Sequence, residues 1–485
     1  MPNNRPTIAI DGLIFQASLV GGVSRVWRSL LTEWAKTDFA PHILVLSRGG
    51  TAPEISSLRY CTIPPYDYAD TERDRLMLQQ VCDAENVDIF VSTYYTTPIS
   101  TPSICLVYDM IPEVFQVDLS QPVWQEKHRA IRQAFAHAAI SQSTANDLAR
   151  FFPHIAMEEI AVAYCGVEPT FALAKLEQIQ QFRDRYQLRK PYYLIVGANR
   201  IYKRYRLFFE AFSQLPNRQE FDIVWVGNDT PLSAEFLELS IGSEVHLLPL
   251  KDEELAIAYS SAIALAFPSL YEGFGLPLLE AISCGCPVIT CENSSIPEVV
   301  NDTALYIEVG NPHSFVTALT QVQNPRVRNA IVVKGLERSQ QFSWEKMANK
   351  LKVWILEIGK LLKEQTSLDN LECEGDHFII FPDWTQSTLE NTYAALESVL
   401  RDVLSHENFV TLLVYAVPNS AEKADEIIGE VVMNLLLEAE IDLKEEPNIS
   451  IVSDLSQGKF SQTYTYVPLE NEDRAAVAQF RSTDT

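Results

Sequence analysis

The sequence predicts an α/β fold of doubly wound parallel sheets, and three observations carry that expectation. Short apolar runs alternate with longer amphipathic stretches, the rhythm of repeated βαβ units. That rhythm breaks near Gly166-Val167-Glu168-Pro169 and then starts again. After a polar, acidic segment a third and smaller α/β pattern closes the chain.

The elements follow in order. Ile8-Ala9-Ile10 is the first strand, and a turn leads to a helical pattern from Val23 through Trp34. Further strands are expected at Ile43 to Leu46, Ile89 to Val91 and Ile104 to Tyr108. After the break, a charged helical stretch from Ala174 to Arg189 ends before Pro191, as helices do ahead of proline. The second series places strands at Tyr192 to Gly197, Phe221 to Gly227, Val245 to Leu248, Ile263 to Pro268 and Pro287 to Thr290. It closes with a long helix from Trp344 to Leu362. Two Rossmann-like domains facing a cleft are therefore expected, over residues 1–170 and 171–363, followed by a linker at 364–376. Residues 377–485 read as a small α/β accessory domain. Its expected strands are Phe378 to Phe381, Val410 to Val417 and Ile449 to Val452, with helices at Ser387 to Ser405 and Ser420 to Leu443.

Composition narrows the function. The chain has 485 residues, 47% hydrophobic and 21% charged, which excludes wholesale disorder and a polytopic membrane protein. Its 38 Lys and Arg stand against 64 Asp and Glu, a net charge of −26 that would repel a phosphate backbone. Nucleic acid is therefore not an expected partner. Most of the excess lies late, since residues 370–485 hold 6 basic and 22 acidic side chains. Eight scattered cysteines without a CxxC pair read as buried free thiols of a reducing compartment. The start has no apolar signal region, and no run reaches the ~18 apolar residues of a spanning helix. A cytoplasmic protein without a stable membrane span is expected.

The segment richest in chemistry is Phe267-Pro268-Ser269-Leu270-Tyr271-Glu272-Gly273-Phe274-Gly275-Leu276-Pro277-Leu278-Leu279-Glu280-Ala281. An apolar strand enters a Gly-Phe-Gly turn, Pro277 stands at the expected first helical position, and Gly285 marks the helix end. Glycines let backbone N–H groups approach a ligand, and the helix N-terminus suits a diphosphate. Glu272 in the loop and Glu280 in the expected first turn can accept hydrogen bonds from sugar hydroxyls. Arg200 and Lys203 form a basic pair after the Tyr192 strand. Gly21 and Gly22 lie between the first strand and first helix, and Asp109 follows the Ile104 strand, where α/β sheets place ligands.

These residues resemble the Glu-x7-Glu signature of retaining GT-B glycosyltransferases of family four. Cys284-Gly285-Cys286-Pro287-Val288-Ile289, Ser294-Ser295-Ile296-Pro297-Glu298-Val299 and Phe342-Ser343-Trp344-Glu345 share the likeness, which spans roughly residues 7 to 360. The resemblance implies that Glu272 contacts the donor sugar and Glu280 the ribose. It implies that Arg200 and Lys203 hold the diphosphate, with Gly21 and Gly22 facing it across the cleft. Gly273, Phe274, Gly275, Leu276 and Pro277 complete the donor loop. Tyr108 stands where relatives carry a histidine, which leaves Asp109 as the sugar-side acid. Cys165-Gly166-Val167 replaces the usual Asn-Gly-Val, and Ser141 is expected to be structural.

The function implied is retaining, metal-independent hexosyl transfer in polysaccharide or glycoconjugate synthesis. The donor is GDP-mannose or a UDP-hexose, because the Tyr108 to Glu113 region resembles bacterial surface-polysaccharide mannosyltransferases. No cofactor beyond that nucleotide-sugar is expected. The acceptor is a carbohydrate, lipid-linked or protein hydroxyl. The alternative is a non-catalytic scaffold binding partners through the acidic tail. A phosphorylase-like activity lacks a candidate lysine motif for pyridoxal phosphate. In the tail, Asp383 and Trp384 read as packing rather than a site.

Overall fold

A computed structural model describes residues 6–18, 21–228 and 230–369. Beyond these it describes 376–382, 384, 393, 396–401, 409–416, 424, 427–429, 431, 448–452 and 465–466. The chain forms two compact units, Met1–Lys363 and Glu364–Thr485.

The first unit holds two sheets. Strands β1 (Ile8–Asp11), β2 (Ile43–Arg48), β3 (Arg59–Ile63), β4 (Ile89–Ser92), β5 (Ser103–Val107), β6 (Ala136–Ala139) and β7 (Ile160–Val162) form one, in the order β3-β2-β1-β4-β5-β6-β7. Strands β8 (Tyr192–Val196), β9 (Asp222–Val226), β10 (Val245–Leu248), β11 (Leu265–Phe267), β12 (Val288–Cys291) and β13 (Ala304–Ile307) form the other, in the order β10-β9-β8-β11-β12-β13. Every pairing is parallel. Helices cover both faces, so the central strands β1, β2, β5, β8 and β9 are buried at every residue and read as unbroken apolar runs. Strand order reverses between β1 and β4 and between β8 and β11. These are the switch points where loops diverge and leave a crevice for ligand.

Strand ends are anchored by charge as well as packing. Arg48 at the end of β2 is fully buried and binds Asp11 at the end of β1 through Nε and Nη2, at 2.8 and 2.7 Å. Its other edge binds Asp74 on the helix Thr71–Glu85. The two domains are also tied by the last helix, which leaves the second domain and returns to the first. There the Trp34 indole donates to the Ala348 carbonyl at 2.8 Å.

That helix spans Trp344–Asp369, so the first part of the expected linker, 364–369, is helical. Four strands of the first unit escaped the sequence reading, β3, β6, β7 and β13, as did Thr465–Tyr466 in the second. The charged stretch expected at Ala174 to Arg189 forms a shorter helix, Leu176–Arg185. The seven described cysteines are free, six buried and Cys61 half-buried; Cys373 lies outside the described residues.

In the second unit, β14 (Asp376–Ile380), β15 (Phe409–Tyr415), β16 (Asn448–Val452) and β17 (Thr465–Tyr466) form a parallel sheet in the order β16-β15-β14-β17. The two expected helices lie largely outside the described residues, as does Asp383. Trp384 is buried and donates its indole hydrogen to the Tyr415 carbonyl, which makes it a packing residue.

Candidate active site

The loop after β11 carries Glu272, and four side chains fix it. Ser294 and Ser295, after β12, donate to the Glu272 carbonyl at 2.6 and 2.8 Å, and Ser295 also reaches the Phe274 carbonyl. Tyr271 donates to Asp147 at 2.7 Å, and Thr144 donates to the Gly273 carbonyl at 3.1 Å. Both partners come from the helix Gln142–Phe151 of the first domain, which Ser141 caps through a 3.0 Å bond from Thr144 N. The loop is thus clamped across the cleft.

Gly273 lies so close to the first domain that a Cβ there would sit 1.8 Å from the Tyr108 carbonyl oxygen. Gly275 caps the next helix, Leu276–Ser283, at φ +98°, a left-handed conformation that side chains resist. Leu276 is the first helical residue and Pro277 the second, one place later than expected. Glu280 is consequently the fifth residue of the helix, in its second turn rather than its first.

The charged side chains sort into two groups. Lys203 Nζ binds Glu272 Oε1 at 2.6 Å and lies 4.6 Å from the Phe267 ring centroid. Glu280 is buried; burial pushes its carboxyl up to about 7, with Arg25 and Tyr259 pulling it down. Tyr259 donates to Glu280 Oε2 at 3.1 Å. Arg25 places Nη1 3.1 Å from Glu280 Oε1 and Nη2 2.8 Å from Asp252 Oδ1. Arg200 joins neither group. It is exposed at the cap of the turn Ile201–Lys203 and lines a separate 510 Å³ groove with Arg204 and Arg206.

From the first domain, Gly21 caps the helix Gly22–Ala35 and Gly22 opens it, so Gly22 is helical rather than part of a loop. A Cβ on Gly22 would touch Leu276 Cδ1 at 3.6 Å, which places this helix start against the helix Leu276–Ser283. Asp109 follows β5, and its Oδ1 accepts from Ile111 N at 3.0 Å. Burial raises its carboxyl, while Lys127 offsets part of that rise. Lys127 is itself buried; it donates to the Asp109 carbonyl at 3.0 Å and to Glu113 Oε2 at 2.7 Å. Burial raises the Glu113 carboxyl, but His128 and Lys127 outweigh it and hold the group below its ordinary value.

Tyr108 turns inward. It donates to the Thr93 carbonyl at 2.8 Å and accepts from the Trp27 indole at 2.5 Å, so it does not offer the cleft a side chain in place of a histidine.

Arg25, Lys127 and Glu298 are site-region residues to which the sequence assigned no role. Glu298 accepts from Gln142 N and Ser143 N at 2.7 Å each, a carboxylate of one domain capping a helix of the other. Its partners lie 155 and 156 residues away, so no local pattern reveals them. Among the described residues no group of three His, Cys, Asp or Glu side chains is arranged to hold a metal.

Comparison with known proteins agrees with this architecture. The model of glycosyltransferase family 4 matches residues 20–171, and that of glycosyl transferases group 1 matches 178–335. O-antigen chain mannosyltransferase B of Escherichia coli is 27% identical over 243 residues, 48% of this chain and 64% of that protein. The serotype-specific mannosyltransferase WbdA of Escherichia coli is 25% identical over 404 residues, 77% of this chain and 47% of that protein. The matches therefore take in less than two thirds of either relative. Sucrose-phosphate synthase from Thermosynechococcus elongatus superposes with a TM-score of 0.59 over 75% of this chain and all of that one, at 18% identity, a likeness of fold. With two parallel-sheet domains meeting at a cleft and a family model matching each of them, the chain belongs to the GT-B glycosyltransferases of group 1.

Proposed function

We propose that this chain moves a hexose from a nucleoside diphosphate sugar to a hydroxyl acceptor with retention at the anomeric carbon, in the synthesis of a polysaccharide or glycoconjugate. The observation that carries the reading is the Lys203–Glu272 pair, set at 2.6 Å on a loop whose Gly273 abuts the Tyr108–Asp109 backbone. A cation, a sugar-side acid and a second acid thus converge where the two sheets end. In this reading Lys203 takes the diphosphate and releases Glu272 to the sugar hydroxyls. Glu280 accepts from the ribose, and Gly21 and Gly22 leave room for phosphate oxygens. Asp109, set by Lys127 and Glu113, faces the charge that develops on the sugar. The leaving phosphate oxygen takes the acceptor proton on the same face, so no protein base is needed. The mannosyltransferase relatives support GDP-mannose over a UDP-hexose. The second unit is read as an accessory domain.

Lys203→Ala is expected to weaken nucleoside diphosphate binding ten- to a hundredfold, since a charge-assisted contact is worth about 1.5–3 kcal/mol. Arg200→Ala is expected to cost less, because Arg200 stands exposed and outside the Lys203–Glu272 pair. Calorimetric titration with GDP and UDP reads both; unchanged affinity in both variants would overturn the assignment.

Transfer is expected to survive EDTA, because Lys203 supplies positive charge where the leaving diphosphate demands it. Activity abolished by EDTA and restored by Mg²⁺ or Mn²⁺ would contradict this.

One observation favours the scaffold reading: Tyr108 is packed inward and cannot replace the histidine. Donor hydrolysis by the purified chain separates the two readings. A scaffold gives none.

A further inference from the structure

Glu280 is a buried carboxylate whose neighbours come from both domains. Arg25 approaches from the helix Gly22–Ala35 of the first domain, and Glu168 from the segment that crosses between domains. Tyr259 and Asp252 approach from the helix Asp252–Ser261, and Cys284 follows one turn later on Glu280's own helix. Among these groups Arg25 is the only cation. Its guanidinium is held from three sides: Nη2 on Asp252 at 2.8 Å, Nη1 at 3.1 Å from Glu280 Oε1, and Cζ 5.2 Å from the Phe171 ring centroid. The contact to Glu280 is one of charge, for Nη1 is buried without an aligned hydrogen bond. Oε2 already accepts from Tyr259, while Oε1, facing Arg25 through charge alone, keeps lone pairs for a hydroxyl donor.

We propose that Arg25 is a positioning residue that acts across the cleft, keeping Glu280 ionised and aimed for the ribose while the two domains are closed. The inference rests on the reading of Glu280 as the ribose contact and adds the group that controls it. A carboxylate accepts from two ribose hydroxyls, whereas a carboxylic acid gives up part of that capacity. Opening the cleft would carry Arg25 away and leave Glu280 facing Asp252, an acid neighbour that favours its protonation, without a counter-charge. Donor affinity is thereby coupled to closure.

The test is GDP and UDP affinity from about pH 5.5 to 9 in the full chain, for the wild type, Arg25→Gln, Arg25→Lys and Glu280→Gln. Wild-type affinity is expected to fall as pH drops through about 7, where Glu280 takes a proton. Glu280→Gln flattens that fall. Removing the cation raises the Glu280 carboxyl, so in Arg25→Gln the fall moves to higher pH by roughly one unit or more. Arg25→Lys keeps the charge without the two-pronged reach, and its midpoint lies between the two. A midpoint unmoved in Arg25→Gln, while Glu280→Gln is flat, overturns the role of Arg25. Should Arg25→Gln fail to fold, an unmoved midpoint in Arg25→Met, which removes the charge and keeps an unbranched side chain, overturns it equally. Wild type and Glu280→Gln sharing one profile, or neither nucleotide binding at any pH, refutes the ribose reading itself and the proposal with it.

Discussion

Gly273→Ala is expected to lower donor turnover roughly a hundredfold or more, the scale of loss when reacting groups are displaced by about an ångström. The added Cβ would lie 1.8 Å from the Tyr108 carbonyl oxygen and 3.1 Å from Asp109 Cβ. Backbone cannot step aside as the end of a flexible side chain can, so the loop or the first domain must retreat. Either movement separates Glu272 from Asp109 and loosens the Thr144 and Tyr271 clamps. The loss is expected in turnover more than in folding, because each sheet also has an apolar layer of its own, around Leu44 and Phe90 in one and Tyr193 and Trp225 in the other. A coupled assay of nucleoside diphosphate release, beside a thermal melt, distinguishes these outcomes. Wild-type turnover in Gly273→Ala would show that the close approach of the domains is not required.

Arg48→Leu is expected to cost about 3–5 kcal/mol of stability, the range for removing one partner of a buried ion pair. Arg48 is fully buried, Asp11 likewise and Asp74 nearly so, and the substitution leaves two carboxylates facing each other without a cation. Burial already raises Asp74, with Asp11 adding to the rise and Arg48 opposing it. The triple variant Arg48→Leu, Asp11→Asn, Asp74→Asn is expected to recover part of the loss, since it removes charges along with their partner. Urea unfolding of both variants reads this. A single variant as stable as the wild type would mean that water reaches the network.

Much of the fold is legible in the sequence because parallel strands buried on both faces leave unbroken apolar runs, as in Tyr192 to Val196. The strands that escaped lack that signature. β6 is Ala-His-Ala-Ala, β7 has three residues, and β3 lies at the sheet edge with its residues mostly exposed or half-buried. The donor loop is legible because Gly273, Gly275 and Pro277 punctuate it at positions where the backbone needs them. The depth of Glu280 was not, because whether the helix begins at Leu276 or Pro277 depends on the Gly275 conformation. Arg25 is illegible for a different reason. It stands 227 residues from Asp252, and only the docking of two domains brings them together.

A nucleotide-sugar is proposed to occupy the cleft at Lys203, Glu272 and Glu280. The most direct test of that occupancy is release of nucleoside diphosphate by the purified chain from a panel including GDP-mannose, UDP-glucose and UDP-galactose, beside Lys203→Ala. One donor is expected to be turned over by the wild type, with turnover falling ten- to a hundredfold in the variant, in proportion to a lost contact of about 1.5–3 kcal/mol. A wild type that turns over no donor, or a variant as fast as the wild type, would contradict it.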